Sequence, residues 1–436
     1  VVGRRWPGGR RADRRCAGRR SGRWAALCLA ALCALVAVAL TGCGTAQGPD
    51  DAAGRDGQAV QQLLDRRAAA VRERDASAFL ATVDRRSARY LAEQRRMFTN
   101  LAAVPVRSWT YHLVDTGGFD PALGEGRRLA AQVELRYRLS GYDTVPVVAE
   151  EYLTLAQRNG RWYVASDDGE EDGRHTSVQL WDQGAVTAVR GAHSLVLGVG
   201  QDRRRLRELA DGADRAVAVL RKTWPHPWAG RVVVQVPASL DRMAALLGST
   251  ASGYRGIAAV TTGEAGGGHR EAADRVIVNP EAYQVLGDFG RRVVITHETA
   301  HVATRTATSP ATPMWLSEGF ADWTGYLGTG RTPREVAPEL ARSVASGRLP
   351  DALPDDKAFG FGGSADVLSQ AYEEGWLACR LIAEKWGQGK LVEFYRAVGG
   401  SPDRKGAVES ALREVLGTNL AEFTDLWRKY LAVQLG

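Results

Sequence analysis

Sulfur, histidine and long apolar runs are all scarce in this chain of 436 residues. Three of its five cysteines (Cys16, Cys28, Cys33) lie within the first 42 residues, which leaves only Cys43 and Cys379 and excludes a disulfide-built fold. A positive surplus is missing from the same remainder. The formal charge is +7, yet residues 1–42 carry nine arginines against the single acid Asp13; subtracting these from 57 and 50 leaves 48 basic and 49 acidic residues, a net −1. The basic excess therefore belongs to the N-terminal segment, and a nucleic-acid partner is excluded as its cause. The one uninterrupted apolar run, residues 25–40, lies there as well. What is present is an ordinary apolar fraction of 44%, enough for a real core, and a length that suggests two domains behind a targeting segment.

The N-terminal segment has an Arg-rich stretch from Arg4 to Arg23, then the apolar run, then Leu40-Thr41-Gly42-Cys43. These four residues resemble the bacterial lipobox, which makes residues 1–42 a lipoprotein signal peptide and Cys43 the lipidated N-terminus of the mature chain. An uncleaved membrane anchor is the plainer alternative. Both place the remainder outside the cytoplasm, held at the membrane surface, because several acyl chains on one cysteine make a durable anchor. The first residue is Val, as in a literally translated alternative start codon. With Cys43 lipidated, only Cys379 remains, and it reads as a small buried apolar residue.

Residues 43–56 show no apolar periodicity and read as a flexible tether. From Gln58 a helical pattern places Leu63, Leu64, Ala68, Val71, Phe79 and Leu80 at helical spacing. Strand-like segments follow at 106–114, 129–140, 145–157 and 161–167, with Arg158-Asn159-Gly160 as a tight turn. Helices followed by a long antiparallel meander resemble the nuclear-transport-factor-2-like (cystatin-like, SnoaL-like) domain over residues 57–168. The resemblance implies a cone of curved sheet around a helix, and without a defensible Asp/His pair the module reads as a spacer or ligand-binding unit. The acidic stretch 166–175 marks the domain boundary. A second domain, 175–436, has strands and helices first and a mostly helical remainder, so the fold class expected is α+β throughout.

The chemistry is concentrated in "VVITHETAHVAT", residues 293–304. His297 and His301 are four residues apart, so on a helix they stand one above the other and can meet one tetrahedral zinc. Glu298 is rotated about 100° from His297, away from the metal and towards a water that the metal would acidify. A core helix with hydrogen-bonded histidines is the plain alternative, but its apolar flanks make two unpaired histidines poor core material. In "PMWLSEGFADWTGYL", residues 313–327, Trp315, Leu316, Phe320, Trp323 and Leu327 mark a packed face with Glu318 in its middle. An unpaired carboxylate there is costly, and service as the third metal ligand removes that cost. Asp322, one turn later, can accept the outward N–H of a ligating histidine.

"HETAH" followed by "WLSEGFADW" resembles the gluzincin metallopeptidases, in the aminopeptidase-N-related, peptidase MA-like group, over about residues 200–400. The resemblance implies a zincin-like α+β domain with one zinc per chain on His297, His301 and Glu318, Glu298 as general base, and a peptide or protein substrate. Sixteen residues, Val302 to Ser317, separate second histidine and glutamate, two fewer than is usual in that branch. "SQAYEEGWLACRLIAEKWG", residues 369–387, resembles the branch's Tyr-x-x-Gly helix, which makes Tyr372 a donor to the tetrahedral oxyanion; a core tyrosine beside Trp376 is the alternative. The Gly-x-Met-Glu-Asn segment that binds a substrate's free amine is missing, and "TTGEAGGGHRE" with His269 stands in that region. An endopeptidase is therefore expected rather than an aminopeptidase. "DRVIVNP", residues 274–280, is the candidate edge strand for an extended substrate. Two rivals stay open: a binding or scaffold lipoprotein with a structural zinc site, and a zinc hydrolase of cell-wall or other non-peptide amides.

Overall fold

The computed structural model describes residues 49–167, 174–262, 273–360 and 364–436. The expected signal segment, Cys43 and the Gly-rich loop with His269 lie outside the described residues. Among the described residues, no helix is long and apolar enough to cross a membrane. The class is α+β, with an antiparallel sheet under helices, a second sheet, and a helical C-terminal part.

The first helix runs Pro49–Glu73 and buries Val60, Leu63, Leu64, Ala68 and Val71 along one face, as their spacing requires. It takes in the second half of the segment expected as a tether. Asp56 is the reason on its inner end: it pairs with Arg127 and accepts from Trp162 Nε1 at 3.3 Å. The single helical pattern expected from Gln58 through Leu80 divides at Arg74, whose φ of 59° no right-handed helix accommodates. Asp75 then caps a new short helix, Ala76–Leu80, by accepting from the Ala78 amide at 2.9 Å.

Four antiparallel strands follow in sequence order: β1 (Val106–Thr116), β2 (Arg128–Leu139), β3 (Val147–Arg158) and β4 (Arg161–Ser166). Asn159 and Gly160, both at positive φ (49° and 74°), make the tight turn between the last two. The second sheet comprises β5 (Val186–Arg190), β6 (Ser194–Val199), β7 (Val232–Val236), β8 (Ala259–Thr261) and β9 (Val276–Val278) in the order β5-β6-β7-β9-β8. Strands β6, β7 and β9 are mutually parallel, while β5 and β8 run antiparallel at the two edges. The sequence placed the edge in 274–280, but β9 lies inside the sheet between β7 and β8, and the edge strand beside it is β8. Both are short apolar runs, so their lateral order is set by long-range pairing that neither segment displays.

Both faces of β6 and β7 are buried, and their side chains divide between two cores. Leu195, Leu197, Val199 and Val233 join Trp109, Tyr137 and the first helix, whereas Val196, Val232, Val234 and Val236 pack under the helix Arg203–Thr223. The N-terminal sheet thus shares one core with the second sheet. At the seam Trp109, Tyr137 and Trp181 bring their ring centroids within 5.1 to 5.7 Å of each other. The helix Asp288–Thr304 lies on the other face, where Ile295 packs among the residues of β7, β8 and β9. A third core gathers Met314–Tyr326, Ala365–Trp386, Gln388–Gly399 and the last helix, Leu420–Leu435.

Because one core spans the seam, Trp181→Ala should remove about 3–5 kcal/mol from the whole unit rather than from one part. Urea unfolding followed by tryptophan fluorescence and by circular dichroism is expected to show one coincident transition, shifted in the variant. Two separate transitions would contradict the shared core.

Candidate metal centre

The helix Asp288–Thr304 presents His297 and His301 on one face, as the four-residue spacing demands. Their Nε2 atoms stand 3.0 Å apart, and Glu318 Oε2 lies 3.3 Å from the first and 3.5 Å from the second. The three atoms form a nearly equilateral triangle. Ligands about 2.0–2.1 Å from a tetrahedral ion are separated by roughly 3.3 Å, so the triangle matches the base of such a coordination shell. Two imidazoles and a carboxylate are a donor set that suits a divalent ion and leaves a fourth position open. These three residues can hold a metal ion.

Asp322 stands where the sequence placed it. Its Oδ1 lies 2.8 Å from His297 Nδ1, which directs the opposite nitrogen, Nε2, to the cluster. The electrostatics agree with a site built around a cation. Burial works against the charged form of His297, but Asp322 and then Glu318 outweigh it and raise the imidazole to about 10. Burial works against Glu318 too, yet His301 and His297 hold it well below the usual carboxylate range. Two carboxylates and two imidazoles, all largely buried, call for positive charge between them.

Helix packing brings these side chains together. Gly319, next to Glu318, faces Gly375 of the helix Ala365–Trp386, and a Cβ at Gly319 would run into the Gly375 carbonyl oxygen. A Cβ at Gly375 would sit 2.7 Å from the Trp315 carbonyl oxygen, and one at Gly325 would sit 3.1 Å from that of Val293. The carboxylate helix Met314–Tyr326 is therefore pressed against both neighbours at backbone-to-backbone range. Glu318 and Asp322 are carried to the histidines by that approach.

Beside the cluster opens a cavity of about 410 Å³ into which His297, Glu298, Glu318, Asp322 and Tyr372 all project. Glu298 is 5% exposed and its Oε2 accepts from Thr261 Oγ1 of β8 at 2.7 Å. The ring of Tyr372 is 6.4 Å from that of His297 and packs edge-on against Phe359 at 5.2 Å. Its ring lines the cavity and, half-buried, also packs against the third core. Cys379 is fully buried, and burial pushes its thiol well up, as expected of a packing residue. His193 lies against Arg221, and His226 packs edge-on against Trp224.

Sequence reasoning missed Thr261 and Glu373. Thr261 lies 37 residues before its partner Glu298, with no local pattern to connect them. Glu373, on the cavity wall, accepts from the Glu339 and Leu340 amides at 3.2 and 2.6 Å and so caps the helix Pro338–Ala345. Its burial raises it to about 7. The main chain of β8 also matters. Thr262 N donates to Arg275 O and Asn279 N to Ala258 O, so even-numbered residues bond inward to β9. By antiparallel alternation the amides of Ala259 and Thr261 point outward along the edge. No protein-family model matches the chain, and no curated protein matches it.

Two substitutions test the geometry. Gly319→Ala forces the two helices apart and is expected to cost about 1–3 kcal/mol or more, together with metal affinity, because Glu318 moves with its helix; thermal melting and a metal titration check it. Asp322→Asn should weaken metal binding by about 10–100-fold with little loss of stability. An unchanged affinity in both would disconnect the packing from the site.

Proposed function

We propose that this chain is a zinc-dependent endopeptidase, tethered outside the cytoplasm through lipidated Cys43. The observation that carries this reading is the convergence of His297, His301 and Glu318 on one point beside a cavity that also holds the Glu298 carboxylate. The sequence resemblance to gluzincins points the same way. His297, His301 and Glu318 would hold the zinc. When bound, zinc supplies Lewis acidity, which polarises a carbonyl and makes water easier to deprotonate near neutral pH.

The protein's own groups do the rest. Glu298, oriented by the Thr261 hydroxyl, accepts a proton from the attacking water and passes it to the departing amine. The Tyr372 phenol, set over His297 by Phe359, donates a hydrogen bond to the developing oxyanion. The outward amides of Ala259 and Thr261 pair with an extended peptide and align it along β8. Endopeptidase action is favoured because the described acids on the cavity wall are already engaged. Asp322 holds His297, Glu373 caps a helix, Glu298 accepts from Thr261 and Glu318 sits between the histidines, so among the described residues each acid on the wall already has a partner other than a substrate's free ammonium. Ile257, Val260, Val293, Val294, Val336 and Trp376 make up an apolar surface instead.

Glu298→Gln is expected to keep its zinc and lose about 10²–10⁴-fold in kcat/KM on a cleaved peptide. Retained turnover in a zinc-loaded variant would remove Glu298 from the chemistry. A peptide library should be cut preferentially beside a large apolar side chain, by roughly 10–200-fold over a charged one. Release of N-terminal residues one at a time would contradict the endopeptidase assignment.

A further inference from the structure

Just before β9 the chain places two consecutive charged residues in the interior, Asp274 (8% exposed) and Arg275 (4%). They are tied in different directions. Arg275 Nη1 and Nη2 donate to the two carboxylate oxygens of Asp143 at 2.8 and 2.7 Å, with both side chains almost wholly buried. Asp143 belongs to the loop between β2 and β3 of the N-terminal sheet, where its Oδ2 also accepts from the Leu139 amide at 2.6 Å. The Arg275 guanidinium lies 6.0 Å from the ring of Tyr137 in the same sheet. Asp274 Oδ2 accepts from Arg305 Nε at 2.9 Å, and Arg305 stands four residues after His301, at the end of the metal helix.

From Arg275 the contacts continue to the centre. Its amide donates to Thr262 Oγ1 at 3.0 Å and its carbonyl accepts from Thr262 N at 2.9 Å. The neighbouring Thr261 donates to Glu298 at 2.7 Å. Two sets of polar contacts, joined by the peptide bond between Thr261 and Thr262, therefore link the Asp143 carboxylate of the β2–β3 loop to the carboxylate assigned as base. A bidentate Arg–carboxylate pair fixes both distance and orientation, and isolation from water keeps it from being exchanged for solvent.

We propose that Asp143, in the β2–β3 loop of the N-terminal sheet, is a positioning residue for the metal centre: through Arg275 it sets the β8–β9 pair against the helix Asp288–Thr304 and so holds the Thr261 hydroxyl on Glu298. The N-terminal sheet is then part of the catalytic apparatus rather than a spacer. The kinetic part of this inference rests on Glu298 acting as base; the geometric part does not.

The test uses the full chain with Asp143→Asn, Thr261→Val and the two combined. Each single substitution is expected to lower kcat about tenfold with KM within about twofold and zinc content unchanged. Because both act on the same hydrogen bond, the double variant should lose no more than about tenfold, the non-additivity of residues in one network. A double loss near 100-fold, or an Asp143→Asn variant that melts earlier with unaltered kcat, would overturn the proposal. Should the unpaired Arg275 prevent folding, Asp143→Leu with Arg275→Met removes both charges together and keeps the interior neutral. That pair is expected to show the same fall in kcat, and an unchanged kcat refutes the positioning role. Amide hydrogen exchange on the metal-free protein separates this from the peptidase reading. Faster exchange at residues 259–262 in the Asp143 variants, with the helix Leu420–Leu435 unaffected, supports the positioning role even if no peptide is cleaved. Unaltered exchange there refutes it even if peptides are.

Discussion

Glu318 reaches the two histidines because the helix that carries it has no side chain where it meets its neighbours. Gly319 and Gly375 allow Met314–Tyr326 and Ala365–Trp386 to touch backbone to backbone, and Gly325 comes close to the helix Asp288–Thr304 at Val293. With a Cβ at Gly319 or Gly375 the helices would have to separate, and a shift of even 1 Å spoils a triangle whose sides are 3.0, 3.3 and 3.5 Å. The same contact brings Tyr372, three residues before Gly375, to the rim of the cavity. His297, His301, Glu318, Asp322 and Tyr372 thus all depend on one close crossing of three helices for their placement.

That crossing buries charge, and the buried charge explains the composition around it. Asp322 and Glu318 would be expensive in an apolar interior without a partner. The imidazoles supply one, and Asp322 and Glu318 favour the charged form of His297 against its burial. A proton on the imidazole or a metal ion between the ligands answers the same need, and only the metal uses all three ligand atoms at once. Asp322 and Glu373 are engaged by His297 and by a helix N-terminus, and much of the remaining described cavity wall is apolar.

How much of this could be read from the sequence depends on distance along the chain. His297 and His301 are a local pattern, legible from helical periodicity alone. Glu318 and Asp322 were legible because a carboxylate in the middle of a packed face needs a reason, and their own spacing places one turn between them. The first helix and the four strands of the N-terminal sheet were legible from periodicity, but the break at Arg74, where φ is positive, and the helix Ala88–Asn100 were not. Thr261, Asp143 and Arg275 were not legible, because each acts through a partner far away in sequence: Asp143 and Arg275 are 132 residues apart. The lateral order of β8 and β9 was missed for the same reason. Apolar composition shows that a strand is buried, whereas its neighbour is decided by pairing across the sheet.

The central claim is that three side chains from two helices make one metal site, and metal content tests it without any knowledge of the substrate. The measurement is zinc per chain in the purified protein after zinc loading and removal of unbound metal, beside His301→Ala and Glu318→Ala. The account predicts about one zinc per chain in the parent and a loss in both variants, with the fold retained. Absence of zinc in the folded parent, or its full retention in either variant, would contradict the account and leave the two histidines as part of a buried helix.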